Sequence, residues 1–210
     1  MKAVTYALNV NSIYDYENAL HIFESVSWKD RISDIERQKN KNNKKLSVGA
    51  GLLLYHALKN LGVTDYTIEK NHFGKPYLAN EEVSYNLSHS GDYAVCTVLK
   101  GKCETGVDVE HIRKIKPEVI KKCFSEKEIG NIQYELGPDI DEDELYTRLW
   151  TLKESFLKMK GTGITVPLKE IDVSDPGAFF HTYSLPGYCI SVCTNCRIYS
   201  EFMPITLDKL

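Results

Sequence analysis

The sequence predicts an α+β fold made of two similar halves. Three observations carry this. Helical periodicity gives way to strand-like runs twice along the chain. The 210 residues suffice for one medium domain or two small ones sharing a core. The composition, 42% hydrophobic and 26% charged, is that of an ordinary globular protein rather than a disordered one. A chain of this length buries roughly 70% of its unfolded surface, so it needs no covalent staples to fold.

The elements follow in order. Lys2 to Asn9 reads as a strand. Ile13, Tyr16, Leu20 and Phe23 recur at three- and four-residue spacing, which predicts a helix. Residues 29–45 carry helical character, with an Asn/Lys-rich interruption at Lys39 to Lys45. Residues 46–60 form a buried helix that ends at Gly62. Thr67–Lys70, Val83–Leu87 and Ala94–Leu99 are strands, parted by the turns Phe73-Gly74-Lys75-Pro76 and Ser90-Gly91-Asp92. The second half opens with a strand at Thr105–Glu110. Helices are expected at Pro117–Lys122 and Ser125–Glu135, the latter with a Ser125/Glu128 capping box. After a break at Gly137-Pro138, Asp141–Lys160 is the clearest helix, acidic at its start and closed by Gly161. Strands are expected around Glu170–Val173, Phe179–Tyr183, Tyr188–Cys193 and Arg197–Phe202.

Charge and cysteine usage narrow the function classes. Lys plus Arg is 26 and Asp plus Glu is 29, a net charge of −3, which argues against bulk nucleic-acid binding. The longest apolar run, Val48 to Leu58, is too short to span a bilayer. Met1 to Val10 lacks a continuous apolar stretch, so no secretory leader and a cytoplasmic location are expected. The six cysteines then read as reduced thiols. Cys189, Cys193 and Cys196 form the one cluster. With His181 they would make a zinc set, but the segment reads first as an ordinary strand pair.

Four constellations carry chemistry. In Gly106-Val107-Asp108-Val109-Glu110, residues two apart share a face, so Asp108 and Glu110 stand side by side while Val107 and Val109 enter the core. Adjacent carboxylates suit a hard cation such as Mg²⁺; a solvated strand edge is the plainer reading. In Trp150-Thr151-Leu152-Lys153-Glu154-Ser155-Phe156-Leu157-Lys158, Leu145, Leu149, Leu152, Phe156 and Met159 make one apolar stripe. Glu154 falls opposite it, with Trp150 and Lys158 four residues to either side. Either this is an exposed ion pair, or a Glu and a Lys sit on a largely buried helix with a task. Tyr85-Asn86-Leu87-Ser88-His89-Ser90-Gly91 offers hydroxyls, an imidazole and backbone N–H groups, the parts of a phosphate site, against a plain turn histidine. Phe73-Gly74-Lys75-Pro76 is a rigid turn presenting one Lys, without the rest of a P-loop.

In this order, the four motifs resemble the 4′-phosphopantetheinyl transferases, in the two-half, Sfp-like branch. They run from residue 73 to 158, and the last two are specific to that superfamily. The resemblance implies two α+β halves, residues 1–102 and 103–210, related by a pseudo-twofold axis with the active site in the cleft between them. It implies transfer of phosphopantetheine from coenzyme A to a serine of an apo acyl, peptidyl or aryl carrier protein, releasing adenosine 3′,5′-bisphosphate. Asp108, Glu110 and Glu154 would hold Mg²⁺, with Mn²⁺ as the alternative. Glu154 or Glu110 would be the general base, and Lys158 would bind the phosphate. Lys75, Pro76, Ser88 and His89 would line the nucleotide site, His89 on the 3′-phosphate, with Lys45 reaching the same group. Asp30 and Ser33 stand where the branch often has Lys, whereas Arg31 matches a basic position. Phe124, Ile129, Lys121, Lys122 and Lys127 would meet the carrier. A monomer is expected, with no nucleic-acid or membrane partner. The competing readings are a Mg²⁺-dependent phosphohydrolase acting on CoA or a nucleotide, and a non-catalytic module that binds CoA or a carrier protein.

Overall fold

The structure, a computed structural model, describes residues 1–79, 82–137, 140–163 and 166–210. Its first half runs β1 (Lys2–Asn9), α1 (Glu17–Ser25), α2 (Lys29–Arg37), α3 (Lys41–Asn60), β2 (Ile68–Lys70), β3 (Pro76–Leu78), β4 (Val83–Ser90) and β5 (Tyr93–Lys100). The second runs β6 (Thr105–His111), α4 (Pro117–Cys123), α5 (Glu126–Glu135), α6 (Glu142–Lys160), β7 (Phe179–Leu185), β8 (Tyr188–Thr194) and β9 (Tyr199–Ile205). Each half has a strand, three helices and an antiparallel strand pair, the first half adding the small β2-β3 hairpin, and the sheet orders β4-β5-β1 and β7-β8-β6 correspond. β9 breaks the symmetry. It returns to the first sheet and lies parallel to β1, Lys2 opposite Tyr199.

Strand alternation sorts the side chains into layers. Tyr6 and Leu8 of β1 and Cys96 and Val98 of β5 pack with Leu53, Leu54 and Leu58 of α3 in the first core. Trp28 closes that core, stacked on Phe23 at 5.4 Å between ring centroids. The opposite faces of the two sheets meet each other: Ala7, Val95, Val107, Val109, Ile190 and Val192 form a dry layer between them. The second core lies under α6, where Phe156, Leu157 and Met159 pack with Cys193 and Ile171. As the alternation predicts, Val107 and Val109 face the inter-sheet layer. Gly106, Asp108 and Glu110 are left for the α6 side.

Several expectations change. α3 begins at Lys41 rather than 46, because Asn40 caps it, its Oδ1 accepting from the N–H groups of Asn42 and Asn43. The interruption shrinks to residues 38–40. The first helix starts at Glu17, with Ile13 just past a short 3₁₀ turn. No strand forms at 170–173; Leu168–Glu170 is a 3₁₀ turn that tucks Leu168 and Ile171 into the core. β3 is additional: Pro76 of the expected turn already pairs with Lys70. The Ser125/Glu128 capping box is present, Asp141 caps α6, and Gly161 ends it at φ 67°. Pro138 lies outside the described residues. Not all cysteines are reduced thiols: Cys103 is joined to Cys196. The β6–β8 register explains the pair. It sets Thr105 opposite Thr194, and two residues further out on both strands the Cα atoms are 6.0 Å apart, within disulfide reach. Among the described residues no helix is long and apolar enough to cross a membrane.

Candidate active site

The site grows from the seam between β4 and β6. Every second residue of β4 is a small polar one, and each serves a backbone N–H on the outer edge of β6. Thr105 N donates to Ser84 Oγ at 3.0 Å and Val107 N to Asn86 Oδ1 at 2.9 Å. Val109 N donates to Ser88 Oγ and His111 N to Ser90 Oγ, both at 3.4 Å. Two of these hydroxyls also donate onward, Ser88 to Asp108 Oδ1 at 2.8 Å and Ser90 to Glu110 Oε2 at 2.7 Å. The motif Asn86-Leu87-Ser88-His89-Ser90 is thus two interleaved surfaces. Its even residues hold the carboxylate strand, and its odd ones turn toward α3.

From the other side α6 lies directly on β6, which Gly106 permits. A Cβ there would stand 2.9 Å from the carbonyl carbon of Lys158 and closer still to Ser155 O and Met159 N, all backbone atoms of α6. The close approach brings Lys158 Nζ within 2.6 Å of Asp108 Oδ1 and 2.8 Å of Ser88 Oγ. Glu154, one turn earlier, faces the same space. Together Ser88, His89, Asp108, Glu110, Glu154 and Lys158 line a cavity of ≈ 470 Å³, closed by Trp150 and, from the first half, Arg31.

The electrostatics are those of an anionic pocket short of cations. Burial raises Asp108 above the ordinary carboxylate range, against the pull of Lys158 and Ser88. Glu110 is raised by burial and by the charge of Asp108, while Ser90 opposes. Glu154 is raised by burial and then by Asp108 and Glu110. Asp108 Oδ2 is buried with no hydrogen-bond partner. Among the described residues no three His, Cys, Asp or Glu side chains converge closely enough to hold an ion as they stand; the Lys158 ammonium already occupies one oxygen of Asp108. Burial and then Lys158 hold the His89 imidazole below the usual histidine value, favouring its neutral form at pH 7.

The remaining sequence-predicted residues lie elsewhere. Lys75 Nζ bonds to Met159 O, Thr105 O and Glu104 Oε2. Lys75 and its neighbour Pro76 both line a smaller cavity of ≈ 240 Å³ that shares Leu87, Glu154 and Lys158 with the first. Lys45 Nζ sits 5.7 Å over the ring of Tyr14 and is not on the wall of either cavity. Phe124 is 2% exposed and packs on Tyr146 in the second core, with Ile129 against it, so Phe124 presents no surface to a partner. Lys121, Lys122 and Lys127 are exposed. Cys189 and Cys193 are buried, and Cys196 is in the disulfide, so no zinc set exists there. Arg31, Ser47, Ala50 and Leu87 line the cavity without being in the sequence-predicted site set, and Arg31 is the charged one among them. Its Nη1 donates to Ser47 O at 3.4 Å, and its guanidinium lies 5.9 Å from the Trp28 ring. The available signal was its match to a basic position amid the Asp30 and Ser33 departures.

Comparison with known proteins gives a consistent picture. A model of the 4′-phosphopantetheinyl transferase superfamily matches residues 104–193, and one described as the N-terminal part of a 4′-phosphopantetheinyl transferase matches residues 15–100. The chain is 29% identical over 150 residues to 4′-phosphopantetheinyl transferase Sfp of Bacillus subtilis (strain 168), covering 63% of this chain and 65% of that protein. It is 36% identical over 102 residues to another 4′-phosphopantetheinyl transferase of Bacillus subtilis, covering 48% and 44%. It is 30% identical over 122 residues to L-aminoadipate-semialdehyde dehydrogenase-phosphopantetheinyl transferase of Mus musculus, covering 51% and 39%. The matches thus span less than two thirds of these relatives' own lengths.

Proposed function

Because the chain belongs to the 4′-phosphopantetheinyl transferase superfamily, we propose that it transfers phosphopantetheine from coenzyme A to a serine of an apo acyl, peptidyl or aryl carrier protein. The observation that carries the reading is the convergence of Asp108, Glu110, Glu154 and Lys158, from a strand and a helix, on one cavity. Strand and helix are rigid mounts for such a site. In the reaction the serine oxygen bonds to the phosphorus next to the pantetheine arm. The bond from that phosphorus to the bridging pyrophosphate oxygen breaks, and adenosine 3′,5′-bisphosphate leaves.

Each side chain has a task in that step. Glu154 takes the serine proton, with Glu110 as the alternative base; both carboxylates face the cavity. Lys158 offers its ammonium to the phosphate oxygens. Neutral His89 and the Arg31 guanidinium, on the same wall, suit the 3′-phosphate of the nucleotide. The carboxylates of Asp108, Glu110 and Glu154 are the hard oxygen donors that Mg²⁺ or Mn²⁺ takes, and the unpartnered Asp108 Oδ2 fits such an ion. A bound divalent ion would neutralise charge on the pyrophosphate. We assign the nucleotide contacts to residues 1–102 and the metal site and catalytic helix to residues 103–210. Both walls of the cavity come from one chain, which supports a monomer; a cytoplasmic location is part of the same proposal.

The test is intact-mass spectrometry of apo acyl, peptidyl and aryl carrier proteins incubated with the protein, CoA and Mg²⁺. A gain of one phosphopantetheinyl group, abolished by EDTA, is expected. Consumption of CoA with no gain on any carrier indicates the phosphohydrolase. CoA that binds but stays intact, with no gain, indicates the binding module.

A further inference from the structure

We propose that Lys75 is a positioning residue, whose ammonium clamps the last turn of α6 to the start of β6 and so sets Glu154 and Lys158 against Asp108. The inference rests on the transferase reading above, and it departs from the nucleotide contact that the Phe73-Gly74-Lys75-Pro76 motif implies.

An ammonium has three N–H donors and no more. Lys75 has an acceptor for each: Glu104 Oε2 at 2.8 Å, Met159 O at 2.9 Å and Thr105 O at 3.3 Å. No donor is left for a phosphate. The acceptors are informative in their own right. Met159 adjoins Lys158 in the final turn of α6, where carbonyls lack intrahelical partners and the helix dipole is negative, so a cation is favoured there. Thr105 precedes Gly106, the residue on which α6 rests. The Lys75 side chain is only 12% exposed, so its bonds to the two carbonyls are part-buried, while the Glu104 carboxylate stays 57% exposed to water.

The rest of the 71–75 turn is built for the same grip. Asn71 Oδ1 accepts from Phe73 N at 3.0 Å and Lys75 N at 2.9 Å, which shapes the turn. Asn71 Nδ2 donates to Gly161 O at 3.0 Å, just beyond α6. A Cβ at Gly161 would stand 2.6 Å from Lys75 Cδ, so the glycine that ends the helix also leaves room for the lysine stem. The first half therefore holds the catalytic helix of the second by its C-terminal end.

The test compares Lys75→Met and Asn71→Ala with the wild type in steady-state carrier modification, CoA calorimetry and hydrogen–deuterium exchange. For both variants kcat is expected to fall about 10- to 100-fold. KM and Kd for CoA stay within about twofold, since neither side chain spends a donor on it. Amide exchange is expected to speed up at residues 157–163 and 105–107 and nowhere else. A tenfold rise in KM or Kd for CoA with kcat intact would make Lys75 a nucleotide ligand and overturn the proposal, as would unchanged kcat and exchange. Should Lys75→Met fail to fold, Asn71→Ala decides, because it loosens the same end of the helix while keeping the lysine. Should the wild type modify no carrier, the functional reading fails on its own, and the exchange pattern still decides the clamp.

Discussion

Gly106→Ala tests whether the site depends on the direct seating of α6 on β6. The added methyl would lie 2.9 Å from the Lys158 carbonyl carbon and nearer still to Ser155 O and Met159 N. These are backbone atoms of a helix, and no rotamer change relieves them. Carbon contacts are comfortable at about 3.5–4.0 Å, so α6 has to lift by about 1 Å. Lys158 Nζ, now 2.6 Å from Asp108 Oδ1, would then stand at about 3.6 Å, outside hydrogen-bond range. Overpacking of this kind costs about 1–3 kcal/mol, a Tm loss of about 4–8 °C at its midpoint for a chain of this size. A misplacement of about 1 Å at reacting groups costs about 100-fold in rate. Transfer followed by carrier mass, together with a thermal melt of the same preparation, reads both. The reasoning is refuted if Gly106→Ala keeps its rate within about threefold, or if the rate is lost with no fall in Tm.

Four further outcomes are expected. Burial and like charge raise Glu154, and a carboxyl so raised favours folding below its unfolded value of about 4.3 and loses that contribution as pH rises through its folded one. Glu154→Gln should therefore raise the Tm of the EDTA-treated protein at pH 7 while abolishing transfer; a lowered Tm or a near-wild-type rate contradicts this. His89→Ala should weaken CoA about tenfold or more in calorimetry yet spare dephospho-CoA, which lacks the 3′-phosphate, and equal losses would remove His89 from that contact. Replacing Cys103 and Cys196 together by Ser opens a loop spanning a sequence separation of 93 and should cost about 4–5 kcal/mol in denaturant titration, whereas an unchanged midpoint would show that the bridge constrains nothing. Lys153 is wholly buried and bonds to Glu128 Oε2 and Leu168 O at 2.8 Å and to Cys123 O at 3.3 Å. Lys153→Met should cost about 3–5 kcal/mol in the same assay, and wild-type stability would refute its role in tying α4 and α5 to α6.

What sequence reasoning reached, and what it missed, divides by range. The split of Val107 and Val109 from Asp108 and Glu110 follows from a period of two. The shared face of Glu154 and Lys158 follows from a spacing of four. Both are properties of one element and needed no partner. The meaning of Gly106 depends on how near a helix 50 residues away approaches, which no local pattern encodes. Lys75 read as a turn lysine for the nucleotide site because its acceptors, Thr105 and Met159, are remote in sequence. The Cys103–Cys196 bridge follows only from the β6–β8 register. At Asn40 the chemistry was local but masked: a polar Asn/Lys run resembles a loop, although its first Asn is a helix cap. The buried Lys153 stood inside a motif whose neighbours, Glu154 and Lys158, drew the functional reading.

The seam between β4 and β6 has a consequence for how the protein tolerates change. Ser84, Asn86, Ser88 and Ser90 each index one N–H of β6, at Thr105, Val107, Val109 and His111. The two strands are geared like a rack with a two-residue pitch, and the teeth are side chains. Losing one tooth leaves the others engaged. Inserting or deleting a single residue among 84–90 shifts the phase by half a pitch and turns Leu87 and His89 onto the carboxylate strand. Substitutions in this stretch are therefore local events, whereas a change of length by one disengages the halves at the cavity they jointly enclose.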